Sequence, residues 1–306
     1  MIQSLSVCAR VNLNLHNLNS EGTEGNQQQT RMVHILDEAG RKCVVNAVSG
    51  DMFKHIFVER LTPLLMEADQ VVCPNSAKLH PDRILLDADF QKQARGNGAT
   101  EIQSLMVRGC AVTDVAGTLY TERAVSRKST VEFGWVVGLP EYTQTEQYFH
   151  VKYDPSREPG TGAETMAGRQ AIFHRPASSG LYALVAHLEL SRIGRNDVSR
   201  KDEITEQERK ARMRAAVQAL GATLAAPRGA QRNTQFPHVT GAEGIIATST
   251  NSIPAPTMSP LNSNYRQEIK AIAEQLNVLG GDAVSCYEFE TPSGALGILN
   301  RVIGEI

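Results

Sequence analysis

Several features that would identify a common class of protein are scarce in this chain. Aromatic residues make up only 5% of its 306 residues, with a single tryptophan, and no aromatic-rich strand of the kind that stacks RNA bases occurs. The formal net charge is −2, which argues against a surface coated in positive charge but permits a local basic groove. The five cysteines form no CxxC pair, so we expect reduced thiols in a cytosolic protein.

Membrane and common catalytic signatures are also missing. No apolar run approaches the roughly 18 residues of a membrane span, and the first residues alternate like a strand and lack the pattern of a signal peptide. We therefore expect a cytoplasmic protein without a membrane partner. The GxGxxG loop, the Walker loop, HExxH and GxSxG are absent. We expect no metal, no cofactor and no catalytic set, because Cys73 and His80 alone do not make a metal site and Asp114 has no visible partner.

The pattern of apolar residues predicts both strands and helices. Strands are predicted over residues 3–13, 31–36, 42–48, 131–139, 181–190, 240–249 and 282–290. Helices are predicted after Ser49 and over 202–224 and 265–276, while 14–30 and 225–234 have loop composition. This order favours an α+β domain of ferredoxin-like or RNA-recognition type, enlarged by insertions, over a doubly wound parallel sheet.

Two segments present groups that suit phosphate. The helix start at Ser49-Gly50 follows a strand and offers free backbone N–H groups and a positive dipole end, with Lys54 and His55 one turn later. An ordinary capped helix is the alternative. In Arg228-Gly229-Ala230-Gln231-Arg232, two arginines flank a glycine that permits close backbone approach. The basic run over 209–214 is balanced by glutamates, and we interpret it as a solvated helix face.

Two further segments have the composition of contact loops. Residues 14–31 are rich in amides and end on Arg31, so they could hydrogen-bond phosphates, sugars or bases. A solvated loop is the alternative. Residues 160–194 begin with glycines around Met166, offer Arg169 and Gln170, and continue into a strand. Such a loop is suited to contact a partner, and a mobile surface loop is the alternative.

Taken in order, seven segments resemble one family, the backbone subunit of the type I CRISPR Cascade complex, in the DevR-like branch of the RAMP superfamily. Each segment is weak alone, but together they span roughly residues 10–265. They are LNLHNLNSEGTEGNQQQTR, NAVSGDMFKHIFVERL, GCAVTDVAGTL, SRKSTVEFGWVVGLPE, FHRPASSGLYALVAHLELSRIG, LGATLAAPRGAQRNTQFPHV and STNSIPAPTMSPLN.

The resemblance implies a modified RNA-recognition fold shaped like a hand, with residues 1–306 as one palm with insertions. Residues 68–110 would form a helical finger, and 145–178 a β-hairpin thumb with Met166 as an apolar wedge. Copies would stack along a guide RNA (crRNA) and displace a nucleotide at intervals, leaving segments open to pair with target DNA. The implied partners are therefore the guide, neighbouring copies and other Cascade subunits.

The resemblance also implies which residues line the guide and where this chain departs from the family. Gln231 replaces a common lysine, Ala47-Val48 replaces Pro-Ala-Ile, and Thr113 replaces a frequent cysteine. The implied RNA-binding residues are Gly25, Asn26, Arg31, Ser49, Gly50, Lys54, His55, Met166, Arg169, Gln170, Arg228, Gly229 and Arg232.

The expected role is non-catalytic. Related type III subunits cleave RNA with an aspartate in the first loop, but residues 14–30 contain no aspartate. One alternative is a RAMP-type endoribonuclease acting on guide-paired RNA, for which the candidate groups are Glu21, Glu24, His16 and Asp114. The other alternative is an RNA-binding regulator that acts alone.

Overall fold

The structure, a computed structural model, describes residues 1–153, 170–231 and 233–306. It combines helices with a mainly antiparallel sheet, which confirms the predicted α+β class. The RNA-recognition-type description of this fold stays a prediction. Across the described ranges, no helix is both long and apolar enough to cross a membrane.

The strands share one large sheet, apart from a short separate pair. They are β1 (Ser4–His16), β2 (Ser20–Glu24), β3 (Gln27–Thr30), β4 (Met32–Leu36), β5 (Lys42–Val48), β6 (Thr118–Tyr120), β7 (Val125–Arg127), β8 (Val131–Phe133), β9 (Val136–Tyr153), β10 (Gln170–Leu188), β11 (His238–Ser249) and β12 (Val284–Phe289). The main sheet has the order β12-β11-β1-β10-β9-β5-β4. Off this path, β2 pairs with β3, β3 and β8 pair with β10, and β6 pairs with β7 alone.

Helices pack on both faces of this sheet. They are α1 (Gly50–Glu67), α2 (Pro74–Ala77), α3 (Ala88–Ala94), α4 (Ala99–Gly109), α5 (Ala111–Ala116), α6 (Glu206–Ala225), α7 (Tyr265–Gly280) and α8 (Pro292–Gly304). Residues 68–110 therefore contain α2, α3, α4 and a 3-10 turn at Arg83–Leu86. Their interpretation as a finger stays a prediction. The helix α8, which begins after Thr291, was not predicted.

Strand β1 lies inside the sheet, between β11 and β10, and is covered on both faces. Val7 and Cys8 point to opposite faces and are both fully buried. Val7 belongs to the main core with α1 and α6, whereas Cys8 packs with Ile245 and Tyr265 beneath α7. The predicted strand is confirmed. Its alternating pattern is typical of a strand with one solvated face, but here α7 folds back over the second face.

The predicted loop over 14–30 is largely wrong, because β1 extends to His16 and the strands β2 and β3 follow. Strands β2 and β3 form an antiparallel hairpin whose register pairs Glu24 with Gln27. Gly25 turns the chain at a φ of 62°, a left-handed conformation that favours glycine. The strands are short and polar, so their apolar periodicity is too weak to be recognised in sequence.

The pair of strands β9 and β10 is longer than predicted. It extends from the sheet to the pairing of Tyr153 with Gln170, whereas the apolar pattern predicted strands only over 131–139 and 181–190. Gly180 lies at an irregularity in the register, where a Cβ atom would lie 2.1 Å from the carbonyl oxygen of Tyr142. Only glycine fits this close approach. The thumb role predicted for 145–178 stays a prediction, and its central residues 154–169 lie outside the described residues.

The helix α6 confirms the prediction over 202–224, but not the solvated character of its basic face. Thr205 caps the helix by accepting a hydrogen bond from the Glu208 N–H at 3.2 Å, and the Glu208 carboxylate accepts one from the Thr205 N–H at 2.8 Å. Arg212, however, is buried, and its guanidinium contacts Asp114 at 3.0 Å. Since α5 covers this part of α6, the arginine has a buried partner that sequence periodicity does not reveal.

Candidate nucleic-acid interface

The start of α1 has the capped geometry that the sequence predicts. The Ser49 hydroxyl accepts a hydrogen bond from the Met52 N–H at 3.2 Å, while the N–H groups of Gly50 and Asp51 have no acceptor inside the helix. A Cβ atom at position 50 would lie 2.4 Å from the Phe133 carbonyl oxygen, so glycine is needed for the close packing of β8 here. The helix start therefore combines a fixed backbone with free donors and a positive dipole end.

Lys54 and His55, both predicted to bind RNA, have different environments. Burial is the main cause that lowers the pKa of the Lys54 ammonium, and the nearby Arg83 guanidinium lowers this pKa further. Arg83 itself donates to the Gly117 carbonyl oxygen. His55 is more exposed and lies 3.3 Å from the Glu59 carboxylate. Lys54 and Arg83 thus form a cationic pair beside α1, and Arg83 was missed because the fold brings it there from the 68–110 region.

Arg31 is held beside the start of α1 by a chain of hydrogen bonds. The Asn19 side-chain oxygen accepts a hydrogen bond from the Ser49 N–H at 3.0 Å. The Asn19 backbone carbonyl accepts one from the Thr30 hydroxyl at 3.0 Å. The Asn46 amide donates to the Thr30 hydroxyl at 3.2 Å and to the Arg31 carbonyl at 3.0 Å. The predicted amide-rich segment and the predicted helix start are therefore one continuous surface.

The guanidinium of Arg31 already has two partners. It contacts the Glu21 carboxylate and lies over the indole ring of Trp135, 5.2 Å from the ring centroid. Trp135 is 44% exposed. A phosphate at this position would have to compete with Glu21 for the guanidinium. Trp135 was not among the predicted residues, because it lies in a break between β8 and β9 where a continuous strand was predicted.

Gly25 and Asn26 lie at the exposed tip of the β2–β3 hairpin. The Asn26 carbonyl accepts a hydrogen bond from the His174 N–H at 2.9 Å, and the Gln147 amide donates to the Gln28 carbonyl at 2.9 Å. The tip is thereby attached to the projecting β9–β10 pair. Strand β3 connects this hairpin tip to Thr30, beside the start of α1.

The Gly229 loop packs against the end of β1. The Ala230 N–H donates to the Leu18 carbonyl at 3.1 Å, and a Cβ atom at Gly229 would lie 2.6 Å from the same oxygen. The close approach that this glycine permits is therefore to Leu18 rather than to a ligand. Arg228 beside it is exposed, and Arg232 lies outside the described residues.

The β9–β10 pair carries an aromatic face that the sequence analysis missed. His150 and Phe173 are cross-strand neighbours with stacked rings 5.5 Å apart. The Arg175 guanidinium lies 4.9 Å from the Phe173 ring centroid, opposite Tyr148 in the register. Tyr148 and His150 alternate along β9, but they form a surface with Phe173 only when the two strands pair.

This aromatic face continues into the Gly229 loop. The Arg175 guanidinium donates to the Thr234 hydroxyl at 3.3 Å, and both residues line an open concavity of about 490 Å³ together with Gly229, Gln231 and Asn233. Of the predicted thumb contacts, Met166 and Arg169 lie outside the described residues. Gln170 is the first residue of β10, and its backbone position alone is described.

Three of the acidic or basic groups considered for nuclease chemistry have structural partners or are inaccessible. Asp114 is fully buried between Arg127 at 2.6 Å and Arg212 at 3.0 Å. His16 is 1% exposed with its ring edge against Tyr182, and burial lowers its pKa to about 4. Glu21 contacts Arg31. Glu24 is exposed on the β2–β3 hairpin.

The described part of the chain contains no cluster of three or more metal-binding side chains. Cys73 hydrogen-bonds the Ser76 hydroxyl at 3.1 Å, and Cys110 contacts the same hydroxyl at 3.2 Å. His80 instead lies 3.8 Å from Asp82. Cys73 and His80, the two possible metal ligands named from the sequence, therefore have different partners.

Comparison with known proteins gives consistent matches over most of the chain. The family described as "CRISPR-associated negative auto-regulator DevR/Csa2" matches residues 7–270. A protein of Methanocaldococcus jannaschii named "CRISPR-associated protein Cas7/Cst2/DevR" is 25% identical over 295 residues, covering 90% of each chain. The "CRISPR-associated aCascade subunit Cas7/Csa2 2" of Saccharolobus solfataricus is 23% identical and covers 92% of this chain and 91% of its own.

Solved structures with a similar fold come from CRISPR assemblies. A chain of a "CRISPR RNA-guided surveillance complex" superposes with a TM-score of 0.53 and 13% identity, covering 98% of this chain and 99% of its own. A chain of such a complex described as "pre-nicking" gives a TM-score of 0.52 at 12% identity, covering 97% and 99%. These likenesses concern the fold. Because the family match extends over residues 7–270, the chain belongs to the DevR/Csa2 family of CRISPR-associated proteins.

Proposed function

We propose that this chain is a guide-RNA-binding backbone subunit of a CRISPR type I Cascade surveillance complex. The observation that carries the proposal is the family match over residues 7–270. The relatives named as Cas7 or aCascade subunits support it, as do the fold neighbours from RNA-guided surveillance complexes. The chain would bind the guide, neighbouring copies of itself and other Cascade subunits, and would meet target DNA through the guide.

The guide would be held mainly through its sugar-phosphate backbone at the start of α1. The free N–H groups of Gly50 and Asp51 and the Lys54 ammonium suit phosphate oxygens. The hydrogen-bonded Asn19, Thr30 and Asn46 keep Arg31 within the same surface. A backbone-directed site accepts any guide sequence, which is what a scaffold for variable guides requires.

Assembly along the guide would use the projecting β9–β10 pair as a thumb. Its aromatic face leads from the sheet toward the pairing of Tyr153 with Gln170, and it adjoins the Gly229 loop through Arg175. In this proposal the tip folds over the RNA of a neighbouring copy. Met166 then displaces one nucleotide per copy, and the intervening nucleotides stay open for target DNA.

The binding part of the proposal is tested with labelled single-stranded RNA at increasing salt. A protein that neutralises several phosphates loses affinity steeply between about 50 and 200 mM salt, and one with 6–10 contacts to a single strand loses roughly two and a half to four orders of magnitude. We expect a steep loss and similar affinities for RNAs of unrelated sequence. An affinity that salt leaves unchanged would contradict the proposal.

The endoribonuclease alternative has less support from the described residues. Of its four candidate groups, His16 and Asp114 are buried and Glu21 contacts Arg31. Glu24 is the candidate that remains accessible. Incubation of guide-paired RNA with a divalent metal distinguishes the two functions. Cleavage that is lost in Glu24→Ala would favour the enzyme, and intact RNA supports the scaffold. Co-purification with other Cascade subunits distinguishes the scaffold from a regulator that acts alone.

A further inference from the structure

The single tryptophan of the chain, Trp135, is unusually exposed to solvent. Trp135 is 44% exposed, although tryptophan is among the side chains that gain most from burial. Strand β8 ends at Phe133 and β9 begins at Val136, so Trp135 lies in the short break between them. An exposed indole at a fixed backbone position has ring surface for a partner that the isolated chain does not contain.

The break places Trp135 next to the start of α1. Val136, the next residue, pairs with Val48 at the end of β5. The carbonyl oxygen of Gly134 lies 3.3 Å from where a Cβ atom of Gly50 would be. The residues on both sides of the tryptophan thus contact the strand and the helix that meet at Ser49. The indole belongs to the surface that carries the proposed phosphate donors.

The indole also has a cationic neighbour from the amide-rich segment. The Arg31 guanidinium lies over its ring, 5.2 Å from the centroid, and the Arg31 carbonyl is fixed by the Asn46 amide at 3.0 Å. A guanidinium above one face holds the indole in place through a cation–π contact. Because the side chain remains 44% exposed, ring surface stays available beside this contact.

The chemistry around the indole favours a nucleobase over an apolar protein segment. The Thr30 hydroxyl and the buried Asn46 amide hold Arg31 in place. The polar groups that remain beside the ring are the helix N–H donors and the Arg31 guanidinium, which Glu21 also contacts. These groups suit a sugar-phosphate chain and offer little apolar area for a hydrophobic partner. Single-stranded nucleic acid combines such a backbone with flat bases that stack on aromatic rings.

We propose that Trp135 stacks against one nucleobase of the guide RNA while the α1 start holds the adjacent phosphates. This inference rests on the proposed RNA-binding function. It adds a contact to a base at a site that otherwise binds the sugar-phosphate backbone of the guide. Stacking on an indole accepts every base, so the contact orders a nucleotide without selecting the sequence.

The test uses the indole itself as the probe, since the chain contains one tryptophan. Labelled single-stranded RNA is titrated into the full chain, and RNA anisotropy and tryptophan fluorescence are recorded together. We expect fluorescence to be quenched over the same concentration range in which anisotropy rises. An oligonucleotide of equal length with abasic sugars should bind through its phosphates and leave the fluorescence nearly unchanged.

Variants give an independent measurement. Trp135→Ala should weaken RNA binding about 5- to 150-fold, the range that corresponds to the loss of one stacked base, while Trp135→Phe should retain most of the affinity. Tyr142→Ala is the matched control, because Tyr142 is 62% exposed and lines a separate concavity with Arg10 and Glu38. This control should bind RNA like the parent protein.

The failure of this inference differs from the failure of the proposed function. If RNA binds but fluorescence stays constant and Trp135→Ala keeps full affinity, the stacking is wrong and RNA binding stands. Equal quenching by the abasic oligonucleotide would also overturn the stacking. If no RNA binds at low salt, the proposed function itself is wrong, and the base contact is contradicted with it.

Discussion

Asp114 and Arg212 are 98 residues apart in sequence, yet their side chains meet at 3.0 Å with both groups fully buried. Arg127 contacts the other carboxylate oxygen at 2.6 Å, and the Gly194 N–H donates to the carboxylate at 2.9 Å. One carboxylate therefore joins α5, α6, β7 and the segment after β10. This buried group connects the two helices to the short β6–β7 pair and to the segment after β10.

Asp114→Asn is predicted to destabilise the fold strongly. The substitution keeps the shape but removes the carboxylate partner of the buried Arg212 guanidinium, whereas Arg127 keeps its contact with Asp197 at 2.9 Å. Breaking a buried ion pair in this way costs about 3–5 kcal/mol in comparable sites. The free energy of unfolding in urea measures the effect. Glu206→Gln is the matched control, since its pair with Lys210 at 3.5 Å is on the surface, and it should leave stability nearly unchanged. Equal stabilities of the two variants would contradict the structural role of Asp114.

Lys54→Ala is predicted to weaken RNA binding and its salt dependence. For a single strand, each phosphate contact contributes about 0.7 to the slope of log affinity against log salt, so the slope should become shallower by about that amount. Lys270→Ala serves as the control, because Lys270 lies on α7 and contacts Glu288. An unchanged slope for Lys54→Ala would remove this residue from the phosphate site.

The stability of the protein is predicted to fall as the pH falls toward 4. Burial lowers the pKa of His16 from 6.5 to about 4, so between these values the unfolded chain binds a proton that the folded chain does not. Lowering the pH in this window therefore favours unfolding, and His16 accounts for about 2 kcal/mol between about pH 7 and pH 5. Urea unfolding at both pH values, with His16→Gln for comparison, measures this. An equally steep pH dependence in His16→Gln would contradict the assignment.

Gly229→Ala is predicted to displace the loop that follows α6. The new Cβ atom would lie 2.6 Å from the Leu18 carbonyl oxygen, so the Ala230 N–H must lose its bond to that oxygen. Hydrogen exchange of the Ala230 amide should become faster, and RNA affinity should decrease. Gly241→Ala is the control, since its Cβ atom would meet the Asn12 side chain at 3.6 Å, an ordinary contact. Slow exchange at Ala230 in Gly229→Ala would show that the loop tolerates the side chain.

Features determined by neighbouring residues were predictable from the sequence. The alternation of β1, the Ser49 cap of α1 and the body of α6 are encoded within a few residues, although α6 begins at Glu206 and was predicted from 202. The surface at Ser49, Lys54 and Arg31 could also be anticipated from residue types.

Features created by tertiary contacts were not predictable. Arg212 has the sequence context of a solvated helix, and only the approach of Asp114 makes it buried. The aromatic face requires Phe173 to pair with His150 across two strands. Trp135 is exposed beside α1 because the strand is interrupted before β9. Sequence periodicity contains no information on such pairings.

The number of protein copies bound per RNA tests the central claim most directly. Native mass spectrometry of the full chain with single-stranded guides of increasing length measures this number. If the chain is a backbone subunit that polymerises along its guide, the number of copies should increase in proportion to RNA length, and the footprint of each copy should stay constant. A single copy bound to every RNA, whatever its length, would contradict the account.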